Sequence, residues 1–347
     1  ISTFKMGAVT PAGPQPPYPL HDSVKDKLDH DYIKFYNKHI IDKQQVQYQP
    51  VYASRSSGVL IPGAGPKLEV GRTEDLKIHR RETEGPDVQI RVFTPTGEKP
   101  PSGWPVMVYF HGGGWVLGNI DTENVVSTNL CARASCVVVS VDYRLAPENP
   151  YPAAVHDSWE TLIWLNSQGA SLLSLDVSKV AIGGSSAGGN LAAIMCHKAL
   201  SSPKLVPKFV AQLLIVPVTD NTASPENNKS WKECEFTPGL SAEKMMWFRN
   251  HYLPDAKRWA EPESSPLFYE DGWAEQPKAL VVVGEYDVLR TEGELYAEKL
   301  RRSGVVVNLQ VMKGMPHPFL AMDGALQQGK DTITFMAETL KGAFETA

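Results

Sequence analysis

Two adjacent serines stand between glycines at 184–188, where the chain follows the pattern Gly-x-Ser-x-Gly. The mostly apolar residues 180–183 predict a strand before the serines, and residues 188–200 predict a helix after them. A sharp turn between strand and helix favours glycine on both sides, because a Cβ there would clash. Such a turn holds a serine hydroxyl clear of the backbone, ready for nucleophilic attack. The glycines favour Ser186 as that nucleophile, and Ser185 remains the alternative.

A serine hydroxyl needs a base to take its proton, and the base needs a third group to orient it. His317 follows the last predicted strand, where such a base is required, whereas His251 ends a predicted helix and is expected to pack. Three carboxylates could orient the base: Asp287 and Glu285 follow one strand, and Asp220 follows the preceding strand. Asp287 is favoured, because its distance past the strand lets a short side chain turn back over the sheet.

A glycine triplet at 112–114 directly follows the apolar strand predicted at 106–110. Glycines let backbone N–H groups turn toward one point, where they can stabilise the oxyanion of a tetrahedral intermediate. Each such donor contributes about 3–4 kcal/mol in other hydrolases. Ala187, the residue after the predicted nucleophile, adds a further N–H at the start of a helix. The sequence therefore predicts two parts of an acyl-transfer site: a nucleophile with its base, and the N–H groups that stabilise the oxyanion.

Strands and helices alternate from residue 106 onward, which predicts a mostly parallel sheet with helices on both faces. In such a sheet, functional groups gather outside the carboxyl ends of the strands. The predicted strands are 76–81, 88–94, 106–110, 136–141, 180–183, 209–216, 279–283 and 305–312. The predicted helices from there on are 123–134, 153–166, 188–200, 241–252, 292–302 and 332–344.

Two segments fall outside this alternation. Residues 1–66 contain a proline-rich arm at 7–20 and an amphipathic pattern that predicts a helix at about 23–41. An insertion at about 220–270 is rich in Trp, Met, Phe and Pro and is too long for a plain connection. We expect the two segments to form a helical cap on a catalytic domain at 67–347.

Charge and composition limit the partners. The net charge of −5 and the absence of any long basic run argue against nucleic acid and anionic membranes, and they favour an uncharged small substrate. The sequence has no signal-peptide pattern. No apolar run in it approaches the length of about 20 residues that spans a bilayer. Four cysteines in no metal-ligand spacing predict reduced thiols and a cytoplasmic location. The oligomeric state stays open, with a homodimer as one alternative.

These motifs together resemble the hormone-sensitive-lipase-like branch of the α/β-hydrolases, which includes carboxylesterases and arylacetamide deacetylases. The resemblance implies an α/β-hydrolase fold, with an eight-stranded sheet that has one antiparallel strand, helices on both faces and a helical cap. The shared motifs are His-Gly-Gly-Gly-Trp at 111–115, Asp-Tyr-Arg-Leu-Ala-Pro-Glu at 142–148, Ser-Ala-Gly-Gly at 186–189, Asp-Val-Leu-Arg at 287–290 and His-Pro-Phe at 317–319.

The family pattern also implies a role for each candidate residue. This chain departs from the pattern at Ser185, where the family usually has an aspartate, and at Thr291, where a second carboxylate is common. The implied roles are Ser186 as nucleophile, His317 as base, Asp287 as its orienting acid, and the N–H groups of Gly113, Gly114 and Ala187 as oxyanion hole.

The resemblance implies a serine carboxylesterase that needs no cofactor and no metal. Amides, formamides, lactones and acyl transfer use the same machinery, so these reactions stay open. A small-ligand receptor on a hydrolase scaffold is the alternative outside enzymes, and the presence of His317 argues against it. We expect Trp115, Phe319 and Trp247 to contact the substrate, the first two because they belong to catalytic loops.

Overall fold

The computed structural model describes residues 13–56 and 61–347. Its centre is a sheet with the strand order β1-β2-β4-β3-β5-β6-β7-β8. Only β2 runs antiparallel to its neighbours β1 and β4, so the predicted sheet with one antiparallel strand is confirmed. The strands are β1 (Arg72–Ile78), β2 (Val88–Thr94), β3 (Trp104–Phe110), β4 (Val137–Asp142), β5 (Leu175–Ser185), β6 (Phe209–Ile215), β7 (Lys278–Gly284) and β8 (Val307–Met312).

Helices cover both faces of the sheet, as predicted. Alternate residues of β3 point to opposite faces: Val108 joins an apolar core with α4, α6 and α9, and Tyr109 joins a second core with α1, α3 and α10. The helices are α1 (His30–His39), α2 (Val51–Ser56), α3 (Asn124–Ala134), α4 (Ala153–Trp164), α5 (Ala170–Leu173), α6 (Ala187–Leu200), α7 (Lys229–Glu233), α8 (Ala242–Tyr252), α9 (Arg290–Arg302) and α10 (Gln327–Glu345).

The first helix is shorter than its apolar spacing predicts. Instead of covering 23–41, α1 begins at His30, because the Asp29 carboxylate accepts hydrogen bonds from the N–H groups of Asp31 and Tyr32 and caps the helix there. The preceding residues form turns in which Val24 and Leu28 are still buried. A turn can therefore bury apolar residues at helix-like spacing.

We call the segments 13–56 and 216–277 the cap. Val46 of the first segment and Leu240, Met245 and Phe248 of the second line one cavity together with residues that follow β3 and end β5. A hydrogen bond from the Tyr48 hydroxyl to Glu243 joins the two segments. Within the second segment, the buried Arg249 guanidinium lies between the rings of Trp231 and Trp259, at 4.8 and 5.0 Å from their centroids. The division into cap and catalytic domain stays a prediction, and residues 7–12 of the predicted arm lie outside the described residues.

Four buried cysteines carry free thiols in the described part of the chain. The same part contains no helix that has both the length and the apolar character needed to span a membrane.

Candidate active site

The turn between β5 and α6 holds Ser186 in a strained backbone conformation, with φ 55° and ψ −116°. A Cβ at Gly184 would lie 2.3 Å from the Phe110 carbonyl oxygen, and one at Gly188 would lie 1.9 Å from it. Both positions therefore require glycine. The Ser186 N–H donates to the Ile215 carbonyl oxygen at 2.8 Å, which fixes the turn to the neighbouring strand. The strand, turn and helix predicted around the serine pair are all present.

Three predicted residues from separate loops meet at this turn. The His317 Nε2 lies 2.8 Å from the Ser186 Oγ, and its Nδ1 lies 2.7 Å from an Asp287 carboxylate oxygen, Oδ2. A carboxylate only accepts hydrogen bonds, so Nδ1 carries the proton and Nε2 is free to accept one from the serine. The second oxygen of Asp287, Oδ1, accepts the Leu289 N–H at 2.9 Å. This is the geometry that general-base activation of a serine requires.

The alternative candidates make other contacts. Asp220 accepts hydrogen bonds from the N–H and hydroxyl of Thr222 at 2.7 and 2.6 Å. Glu285 accepts a hydrogen bond from the Gly314 N–H at 2.8 Å and so holds the loop that carries His317. The ring of His251 packs edge-on against a tryptophan of α8. Among the described acids, Asp287 is the one that bonds to the histidine of this arrangement.

The glycine loop after β3 presents free backbone donors beside the serine. Gly113 has φ 119° and Gly114 has φ 61°, and within the described residues no acceptor takes either N–H group. A Cβ at Gly114 would lie 2.3 Å from the ring of Phe248, so the loop packs tightly under α8. Ala187 begins α6, so its N–H has no partner within the helix. These three N–H groups fit an oxyanion hole, which remains a proposal.

Glu123 connects the glycine loop to the serine turn, and sequence reasoning missed it. Its carboxylate accepts hydrogen bonds from the Ser185 hydroxyl at 2.5 Å, the Tyr109 hydroxyl at 3.0 Å and the Gly112 N–H at 3.2 Å. Burial raises the pKa of this carboxyl, while the donated hydrogen bonds oppose the shift. The signal in the sequence was Ser185 itself: where the family has a carboxylate, this chain has a hydroxyl that bonds to one.

We expect Glu123→Ala to lower kcat by about 10- to 100-fold, the scale on which small displacements of catalytic groups act. An alanine would leave the Ser185 hydroxyl, the Tyr109 hydroxyl and the Gly112 N–H without their common acceptor, so the glycine loop and the serine turn would shift relative to each other. Steady-state kinetics on a neutral ester and thermal unfolding measure the effect. Glu98→Ala, at an exposed loop position, is the matched control. An unchanged kcat in Glu123→Ala would contradict the positioning role.

A cavity of about 710 Å³ opens in front of the serine and the histidine. Residues of both cap segments, of the glycine loop and of the histidine loop form its walls, and most of the cap side chains among them are apolar. The lining includes Val46, Ile61, Gly113, Gly114, Ser186, Val218, Leu240, Lys244, Met245, Phe248, His317 and Leu320.

The three residues predicted to contact substrate do not line this cavity. Trp115 is fully buried and stacks on Tyr252, with ring centroids 4.2 Å apart and planes at 5°. Phe319 is also fully buried, in the apolar core that contains α10. Trp247 is half-buried and packs edge-on against Phe248, which does face the cavity. Sequence alone does not distinguish an aromatic ring in a cavity wall from one that packs behind the wall.

Residues 107–321 match the family described as alpha/beta hydrolase fold. The chain is also 48% identical over 331 residues to an AB hydrolase superfamily protein of Schizosaccharomyces pombe, across 94% of this chain and 97% of the relative. The chain belongs to the α/β-hydrolase fold family. This confirms the predicted fold class.

Other relatives of this α/β-hydrolase carry esterase names. An arylesterase from Saccharolobus solfataricus is 36% identical over 94% of this chain and 100% of the relative. The solved structure of an esterase from Pyrobaculum calidifontis has a TM-score of 0.79 and 32% identity, over 91% of this chain and 98% of that one. The predicted membership in the carboxylesterase branch is confirmed.

Proposed function

We propose that this α/β-hydrolase is a serine carboxylesterase that cleaves small carboxylic esters through an acyl-enzyme intermediate. The observation that carries the proposal is the chain of hydrogen bonds from Asp287 through His317 to Ser186, which ends at the cavity wall. The esterase names of the relatives support the coarser statement that the protein is a carboxylic ester hydrolase.

In the first half-reaction, the Ser186 oxygen attacks the ester carbonyl carbon while its proton passes to His317 Nε2. Negative charge develops on the carbonyl oxygen, and in this proposal the N–H groups of Gly113, Gly114 and Ala187 stabilise it. Collapse of the intermediate breaks the bond to the alkoxy group, which leaves as the alcohol with the proton from Nε2. The acyl group stays bonded to the serine oxygen.

In the second half-reaction, water attacks the acyl-enzyme with His317 as base, and the acid leaves as Ser186 regains its proton. The buried Asp287 keeps Nδ1 protonated throughout and stabilises the positive charge on the ring. Leu240, Met245 and Phe248 give the cavity an apolar wall that suits the carbon chain of a small ester.

An active-site label and a burst experiment test the proposal. We expect a fluorophosphonate to block activity with one adduct per chain on the tryptic peptide that contains Ser186. We also expect 4-nitrophenyl acetate to release a burst of about one nitrophenolate per active site if deacylation is slow. A ladder of acyl lengths, with matched anilides and lactones, separates ester hydrolysis from the related reactions. Binding of these compounds without turnover would contradict the enzyme and favour a receptor.

A further inference from the structure

The cavity wall contains a half-buried cation. Lys244 lines the cavity, and its Nζ donates one hydrogen bond, to the Gly239 carbonyl oxygen at 2.7 Å. No carboxylate in the described part of the chain forms an ion pair with it, so two of its three donors are unused. Burial lowers the pKa of Lys244 from 10.5 to about 8, although the side chain keeps some accessible surface.

Lys244 lies close to the proposed chemistry. It precedes Phe248 by one helical turn, about 5.4 Å, on the same face of α8, and Phe248 packs against Gly114 of the glycine loop. Its carbonyl partner Gly239 packs against Pro318, the residue after the histidine of the triad. The ammonium group thus lies on the cap side of the cavity, at the Gly239 carbonyl oxygen, and Gly239 neighbours the histidine loop.

The carboxylates of the cavity wall bind other groups. Asp121 pairs with Arg91 at 2.5 Å, and Asp323 accepts the Gly65 N–H at 2.9 Å. Glu123 accepts the three hydrogen bonds described above. The second lysine of the wall, Lys67, is exposed to solvent. Lys244 is therefore the half-buried cation of this wall that an incoming acceptor can reach.

We infer that the cavity binds esters that also carry a carboxylate, such as monoesters of short dicarboxylic acids, and that Lys244 determines this specificity. The inference rests on the proposed function and names its substrate class. A carboxylate would accept charge-assisted hydrogen bonds from the unused ammonium donors, and such bonds are about twice as strong as those between neutral groups. The apolar wall would hold the methylene groups between the two ends. An overall charge of −5 favours uncharged substrates, but the carboxylates of the cavity wall already accept hydrogen bonds from other groups, whereas Lys244 has donors left for an incoming carboxylate.

The test compares charged and neutral esters of similar length. Monoethyl succinate, glutarate and adipate are each measured against ethyl butyrate, pentanoate and hexanoate, with the released acid titrated at constant pH 7. At each acyl length, kcat/KM for the charged ester is divided by kcat/KM for the neutral ester. We expect this ratio to peak at one acyl length. Lys244→Met should lower that ratio by about 10- to 100-fold, the equivalent of one charge-assisted hydrogen bond. Lys244→Arg should retain most of it.

Lys257→Met is the matched control, since this cap lysine is exposed and lies outside the cavity wall, and its ratio should equal that of the unsubstituted chain. Thermal unfolding shows whether Lys244→Met folds. If Lys244→Met does not fold, a charged-over-neutral ratio in Lys244→Arg close to that of the unsubstituted chain supports the role of the charge. An equal ratio in Lys244→Met and the unsubstituted chain at every length would overturn the inference and leave the esterase proposal standing. Failure to cleave any of these esters, charged or neutral, would overturn both.

Discussion

Ser186→Ala should reduce kcat by at least about a thousandfold on a neutral ester, the scale that other serine triads lose with their nucleophile. The substitution removes the oxygen that lies 2.8 Å from His317 Nε2 and leaves every backbone contact of the turn in place. Stopped-flow and steady-state assays with 4-nitrophenyl esters of graded length measure the loss. Thermal unfolding of the variant should stay close to that of the unsubstituted chain.

Ser185→Ala is the matched control, because it removes a hydroxyl from the adjacent residue. That hydroxyl bonds to Glu123 rather than to the histidine, so we expect most activity to remain. The neighbouring variants thus separate the two possible nucleophiles that the sequence left open. The reverse pattern, with activity lost in Ser185→Ala and kept in Ser186→Ala, would overturn the assignment.

The catalytic part of the site could be predicted from sequence because its geometry depends on local backbone constraints. Gly184 and Gly188 have no room for a side chain, and the strained turn between them exposes one serine. Asp287 and His317 follow directly after neighbouring parallel strands, whose carboxyl ends lie at one sheet edge. Sequence position relative to the strands was therefore enough to bring the three side chains together.

The walls of the cavity depend on packing between distant segments, and sequence position did not predict them. Trp115 follows the glycine loop but turns into the core, where its ring finds a flat partner in Tyr252. Phe248 and Lys244 reach the cavity only because α8 lies across the glycine loop. Sequence position did not predict the contacts of Glu123 for the same reason. The three groups that donate hydrogen bonds to its carboxylate lie in a strand, a loop and the serine turn. Secondary structure alone does not specify such contacts.

Asp287→Asn should lower kcat by about 10⁴-fold, as loss of the orienting acid does in other triads. The reason lies in how the carboxylate is held. Its Oδ1 accepts the Leu289 N–H, so an asparagine would keep its carbonyl oxygen there and turn its NH₂ group toward the imidazole. The His317 Nδ1 would then have to accept a hydrogen bond rather than donate one. Its Nε2 would carry the hydrogen and could no longer take the serine proton.

Asp220→Asn and Glu285→Gln are the controls for this substitution, since each removes one of the other acids considered for the role. Asp220 bonds within its own loop and Glu285 bonds to the histidine loop from outside the cavity, so we expect kcat within about threefold of the unsubstituted chain for the first variant. Glu285→Gln should lower the unfolding temperature and change kcat little. Proton NMR offers an independent measurement, because a strongly deshielded Nδ1 proton should be present in the unsubstituted chain and in Asp220→Asn but absent in Asp287→Asn. A fall in activity in Asp220→Asn as large as that in Asp287→Asn would mean that the histidine is oriented by a different acid during turnover.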